Sequence, residues 1–148
     1  MRGLTLKTIN IGILAHVDAG KTTLTEQLLF CAGATRQAGD VNAGTAHTDY
    51  LQVERERGIS VRSSAASFFC GEVQVNVIDT PGHADFAAEV ERSLAVLDAA
   101  ILVVSAVEGI QARTELLLEA LAATETAVLI VVNKVDRAGS DAQAVVRE

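Results

Sequence analysis

Four aliphatic runs recur along this chain, at residues 8–15, 73–79, 99–107 and 127–133, and three of them end in short polar segments. Those segments are Ala15-His16-Val17-Asp18-Ala19-Gly20-Lys21-Thr22, Asp79-Thr80-Pro81-Gly82-His83 and Asn133-Lys134-Val135-Asp136. Near-continuous runs of Val, Ile and Leu read as strands buried on both faces, the signature of a parallel sheet. Parallel strands need crossovers, and right-handed crossovers put every loop that follows a strand on one rim of the sheet. The loops after residues 15, 79 and 133 are therefore expected to meet around one ligand.

The segments between the runs fill in the architecture. Residues 22–32 carry Leu24, Leu28 and Leu29 at helical spacing, and Gly33 closes that helix. Residues 34–58 show no period and read as a long functional loop. Residues 60–70 and 73–79 flank Gly71-Glu72, a tight-hairpin signal, so these two strands run antiparallel. Residues 84–97 form a helix with Phe86, Val90, Leu94 and Leu97 buried, and residues 110–124 another with Leu117, Ala120 and Leu121 inward. After Arg137, Ser140 or Asp141 caps a last helix. The fold class is α/β: a doubly wound, mostly parallel sheet with one antiparallel edge strand and helices on both faces.

Composition supports that class. The 148 residues suffice for one domain with its own core, and with 49% apolar but 3% aromatic residues that core is aliphatic. A net charge of −7 argues against non-specific binding to DNA or any other nucleic acid. Cys31 and Cys70 lack metal-ligand spacing and are expected to be small buried hydrophobes in a reducing cytosol. There is no leader-like start and no apolar run of membrane-spanning length, so the expectation is a soluble, cytoplasmic monomer that meets no membrane.

Each polar segment has its own chemistry. In the first, Gly20-Lys21-Thr22 opens a helix directly after a strand, the setting of a phosphate-binding loop, although Ala15 stands where the usual pattern has Gly. The residues Asp18, Ala19, Gly20, Lys21, Thr22 and Thr23 would cradle phosphates, with Lys21 bridging the β- and γ-phosphates and the Thr22 hydroxyl on Mg²⁺. In the second, Asp79 would hold the metal directly or through water, and Gly82 would bring a backbone N–H to the γ-phosphate. The one proline of the chain, Pro81, stiffens that approach. His83 would orient the attacking water. In the third, the Asp136 carboxylate can accept from guanine N1–H and the exocyclic amine together, which adenine cannot offer. Asn133 can bond the base carbonyl or pin the phosphate loop, and the Lys134 stem can lie across the ring. Taken singly, each segment also reads as an ordinary turn; the three in order point to GTP.

With these residues in view the chain resembles the G domain of translational GTPases, a Ras-like P-loop fold, over nearly its entire length. The phosphate loop Ala-His-Val-Asp-Ala-Gly-Lys-Thr and the run Arg57-Gly58-Ile59-Ser60 carry the resemblance, as does Glu89-Val90-Glu91-Arg92-Ser93-Leu94. Within the group, Thr22-Thr23-Leu24-Thr25-Glu26 and Gly39-Asp40-Val41-Asn42-Ala43-Gly44-Thr45 lean toward tetracycline-resistance ribosomal protection proteins over elongation factor G, and so does the run that follows Asp98. The resemblance implies that Ser60 replaces the first-switch Thr that meets Mg²⁺, that Val17 and Ile59 form an apolar gate beside the catalytic His83, and that Asp18 serves an additional cation near the phosphates. It implies a ribosome partner met through the switch regions. It also implies that residues 1–148 are a partial G domain without its final strand and helix and with no second domain, which leaves the edge at residues 127–133 open.

The reaction implied is attack of water on the γ-phosphate of GTP, slow without the ribosome because no Arg is placed as a finger. The cluster Arg55, Arg57 and Arg62 either touches ribosomal RNA or pairs with Glu54 and Glu56. Two rival readings stand beside this one: an ATP-dependent P-loop enzyme in which residues 133–136 are accidental, and a truncated piece with weak or no nucleotide binding.

Overall fold

The computed structural model describes residues 7–35, 64–79 and 94–148. Five strands, β1 (Lys7–Ala15), β2 (Ser64–Cys70), β3 (Val73–Asp79), β4 (Ala99–Ser105) and β5 (Ala127–Asn133), form one sheet in the order β2-β3-β1-β4-β5. β1 pairs in parallel with β3 on one side and β4 on the other, and β5 extends the sheet in parallel beyond β4. β2 is antiparallel to β3 and makes the opposite edge. The expected fold class is the observed one. The two-residue link Gly71-Glu72 closes the hairpin, with Gly71 at φ 61° giving the positive dihedral its first position requires.

Three helices are described: α1 (Lys21–Cys31), α2 (Ala112–Ala123) and α3 (Ala142–Arg147). The strand pleat sends alternate residues to opposite faces, and the two hydrophobic clusters divide accordingly. Ile13, Ala15, Val75, Val77 and Val103 pack with Leu24 and Leu28 of α1. Leu14, Leu102 and Val104 pack with Leu117 and Leu121 of α2, with Leu94, and with Val145 of α3. The helices thus cover both faces, as the aliphatic, two-sided strands demand.

Local chemistry sets most element ends. Ala34 donates to the Leu29 carbonyl and Gly33, at φ 71°, to that of Phe30, a paired C-terminal closure of α1. Asp141 caps α3 by accepting from the Ala144 N–H at 2.9 Å. Other ends differ from expectation. β4 stops at Ser105, not 107, because the Ser105 hydroxyl accepts from the N–H groups of Val107 and Glu108 and turns the chain. The helix expected to reach residue 97 has given way to a turn by residue 95. α2 starts at Ala112 because Gln111 and Thr114 form a reciprocal capping box before it.

Two expectations about burial are corrected. Cys31 and Cys70 are both exposed, one at the last turn of α1 and the other at the end of the edge strand β2. β5, read as buried, is exposed from Ala127 to Ile130, with Leu129 at 61%, because its only sheet partner among the described residues is β4. In α1 the wholly buried residues include Thr25 and Glu26 beside Leu29. Thr25 satisfies its hydroxyl on the Lys21 carbonyl at 3.0 Å. No helix among the described residues is long and apolar enough to cross a membrane.

The division between a dense interior and an open edge has a measurable consequence. Leu102→Ala, at a fully buried position, is expected to cost about 2–5 kcal/mol in urea unfolding. Leu129→Ala on the exposed strand is expected to stay within about 0.5 kcal/mol of the unsubstituted chain.

Candidate functional site

The loops after β1, β4 and β5 leave the sheet on the same rim, since these strands are parallel neighbours. After buried Ala15 the chain turns at residues 16–20, where the Ala19 N–H donates to the His16 carbonyl at 3.3 Å. Asp18 at φ 63° and Gly20 at φ 94° are both left-handed, a curl that brings backbone N–H groups toward one point and suits an anion. Gly20 is also the N-cap of α1, and among the described residues no side chain caps that helix or places an acid in its first turn. This uncapped positive end, reached through a left-handed glycine, fits a phosphate group. Around it, Ala19 is fully buried and Lys21 nearly so, Thr22 is half-buried, and Val17, Asp18 and Thr23 are exposed.

The segment Asn133-Lys134-Val135-Asp136 begins where β5 ends. The Asn133 side-chain amide donates to the Ala19 carbonyl at 2.8 Å. Of the two uses open to Asn133, the structure shows the second: it ties the loop after β5 to the loop after β1. The same amide lies against Gly20 so closely that a Cβ there would collide with it. Lys134 is left-handed at φ 59°, half-buried, and its Nζ donates to Glu108 Oε1 at 3.2 Å. Asp136 is exposed, its carboxylate open to solvent. The Asp141 N–H donates to the Ala106 carbonyl at 2.8 Å and the Ser140 hydroxyl to that of Val135 at 2.9 Å, which folds residues 134–141 back over the rim.

A third group at this rim was not singled out from sequence. His16, only 6% exposed, has Nδ1 at 3.3 Å from the Thr114 hydroxyl, and Thr114 is fully buried. Thr114 Oγ1 also accepts from the Gln111 N–H at 3.3 Å, and its hydroxyl proton serves His16 Nδ1 when the ring carries its own proton on Nε2. Nε2 faces Glu108 Oε2 at 4.0 Å, a carboxylate that favours the Nε2–H tautomer of the neutral ring, and has no hydrogen-bond partner among the described residues. Burial pushes the His16 pKa below its ordinary 6.5, against the opposing pull of Glu108. Glu108 itself is held below its ordinary 4.5, chiefly by a hydrogen bond with Ser105 and further by Lys134. The sequence signal for this group was the placement of His16 between a buried strand and a turn, and the Gln-x-x-Thr cap of α2.

The structure therefore brings Asp18, Ala19, Gly20, Lys21, Thr22 and Thr23 to one rim with Asn133, Lys134 and Asp136. Ile59, Ser60, Gly82 and His83 lie outside the described residues, as do Arg55, Arg57 and Arg62. Asp79 is described only as the last residue of β3, which ends on the same rim.

The model of the elongation factor Tu GTP binding domain matches residues 6–148. The chain belongs to that family. It is a G domain of the translational GTPase type. Relatives of this G domain include the tetracycline resistance protein TetM of Streptomyces lividans, 57% identical over 91% of the chain and 21% of that protein. TetW of Butyrivibrio fibrisolvens is 55% identical over 96% of the chain and 22% of that protein, and TetO of Campylobacter jejuni 53% identical over 97% and 22%. The chain thus spans about a fifth of the length of these relatives. A crystal structure of a Thermus thermophilus protein aligns with a TM-score of 0.88 at 34% identity, covering 98% of this chain and 22% of that one.

In this G domain the lowered pKa of His16 makes stability pH-dependent with a definite sign. The unfolded chain takes up the imidazole proton near pH 6.5 while the folded chain resists it to lower pH, so protonation favours unfolding. The melting temperature is expected to fall as pH drops below about 6.5. In His16→Gln that part of the fall, compared across the same pH series by calorimetry, is expected to flatten.

Proposed function

We propose that this G domain binds GTP with Mg²⁺ and hydrolyses it as the switch of a ribosome-associated factor of the tetracycline-resistance ribosomal protection type. The single observation that carries the nucleotide assignment is the Asn133 amide on the Ala19 carbonyl. That bond holds a phosphate-type loop and a guanine-type reader as one surface. In this reading Asp18 to Thr23 wrap the phosphates, with Lys21 neutralising charge between the β- and γ-phosphates. Asp136 accepts from the guanine edge and Lys134 covers its face.

The residues fit a metal-bound triphosphate: a hydroxyl at Thr22 follows the uncapped helix end, and β3 delivers Asp79 to the same rim. Thr22, Ser60 and Asp79 would hold Mg²⁺, which when bound offsets charge on the phosphate oxygens. His83 orients a water for in-line attack on the γ-phosphorus. A new P–O bond forms, the bond to the β-phosphate oxygen breaks, and GDP and inorganic phosphate leave. Val17 and Ile59 gate the approach to His83, and Val17 is exposed in the loop after β1. Loss of the γ-phosphate would release residues 34–60 and the loop after Asp79.

The choice of ribosomal protection over the translocation role of elongation factor G rests on the names of the relatives, three of which are tetracycline resistance proteins more than half identical to this chain. The ribosome is the partner that such relatives imply, and the site of action is the cytoplasm.

Titration with fluorescent GDP and ADP tests the reading. Preference for GDP supports it, preference for ADP supports an ATP-dependent enzyme, and the absence of binding supports an inert fragment. Asp136→Asn is expected to shift preference from guanine to xanthine nucleotide by about 10²-fold or more, because the amide presents a donor where the carboxylate accepted. An unchanged preference removes Asp136 as the reader.

A further inference from the structure

The phosphate loop and the base-reading loop are joined by Asn133, but a second connection runs through a residue that neither loop contains. Glu108 lies in the turn after β4, and the Ser105 hydroxyl fixes that turn by accepting from the Glu108 N–H at 3.3 Å. One carboxylate oxygen takes the Lys134 ammonium at 3.2 Å. The other faces Nε2 of His16 at 4.0 Å. His16 is the residue that starts the phosphate loop, and its ring is set by the buried Thr114 hydroxyl. Nε2 is buried and unpartnered among the described residues, and Glu108 Oε2 is the acceptor before it. A shift of well under a side-chain rotamer would convert that separation into a charge-assisted hydrogen bond.

We propose that Glu108 is a positioning residue, a carboxylate strut between Lys134 and His16 that holds the base-reading loop against the phosphate loop and thereby slows nucleotide release. This rests on the guanine-nucleotide reading above. Physically, the left-handed backbone at Lys134 is costly for a long side chain, and the Glu108 contact is what the lysine gains there. With the strut present, the Lys134 stem is confined before the base arrives, so less side-chain freedom is lost on binding. Without it, Lys134 keeps its charge but loses its fixed place, and the loops separate more readily once the nucleotide begins to leave. The effect belongs to dissociation more than to association, since the contact is short-ranged and partly solvated.

The experiment is stopped-flow release of N-methylanthraniloyl-GDP from the protein carrying this sequence. Glu108→Ala is expected to speed release about two- to fivefold, the scale of a partly exposed ion pair, with association little changed. Lys134→Ala also speeds release, and Glu108→Ala in that background is expected to add nothing further. That non-additivity is the signature of one strut, which two independent structural roles would not give. Thr114→Val, which removes the hydroxyl, is expected to move release in the same direction, and Thr114→Ser to restore it. The ¹⁵N shifts of the His16 ring are expected to report an Nε2–H tautomer favoured by the Glu108 carboxylate and to change in Glu108→Ala. Unchanged release in Glu108→Ala, or rate effects of Glu108→Ala and Lys134→Ala that multiply, overturns the proposal while leaving GDP binding intact. Failure of the unsubstituted protein to bind GDP overturns the guanine reading itself, and the strut with it.

Discussion

Everything at the rim depends on β1 being enclosed on every side. It is the central strand of the sheet, with parallel partners on both edges, and its last residues send Ile13 and Ala15 to one hydrophobic cluster and Leu14 to the other. A strand held on four sides has no freedom at its end. The turn after Ala15 therefore starts from a fixed point, and so does α1, which only residues 16–20 separate from the strand. Precision at a phosphate loop is costly if it must come from the loop alone, because loops bury little and their backbone is solvated. Here it is inherited from the centre of the sheet.

What could be read before any coordinates follows from that same arrangement. Ile and Val recur at alternate positions in β1 and β3, Val, Leu and Ile run without a break through most of β5, and each run ends at a polar turn, so these strands could be placed to within a residue. Gly33, Gly71 and Asp141 mark turns and caps through their own backbone or side-chain chemistry, and each performs the expected role. The end of β4 was not legible, since Ala106 and Val107 continue the apolar run and only the Ser105 hydroxyl, acting in three dimensions, turns the chain. Exposure was the least legible property. Whether an apolar strand is covered depends on neighbours in space, and Leu129 and Ile130 have the composition of a core strand at the edge of a sheet. Thr25 and Glu26 fall in the reverse class, polar residues on the covered side of α1 that a search for Leu spacing passes over.

Within the described part of the rim, the residues of the two recognisable motifs lie together, and the side chains that support them carry no motif. Lys21 and Asn133 belong to patterns with a chemical reason for every position. The side chains of His16, Glu108 and Thr114 have no such reason attached, yet His16 meets the other two from a separate segment of the chain. A supporting shell is selected by packing, and packing is not periodic. The contrast also explains the electrostatics of the rim: charge that would meet a nucleotide is left accessible at Asp136, while the imidazole beneath is kept neutral by burial. A charged imidazole there would have no solvent to stabilise it.

The contact between Asn133 and Gly20 reaches beyond this one molecule. The two positions share a single small volume, with no room for a side-chain atom on residue 20 while the amide occupies it. A side chain at position 20 is barred twice, by the amide and by the left-handed backbone there, so a shorter residue at position 133 would give up the bond to Ala19 without making room for one. Substitution is therefore freer at Asp136, where solvent leaves space, than at the asparagine three positions before it, which is tied to a distant part of the chain.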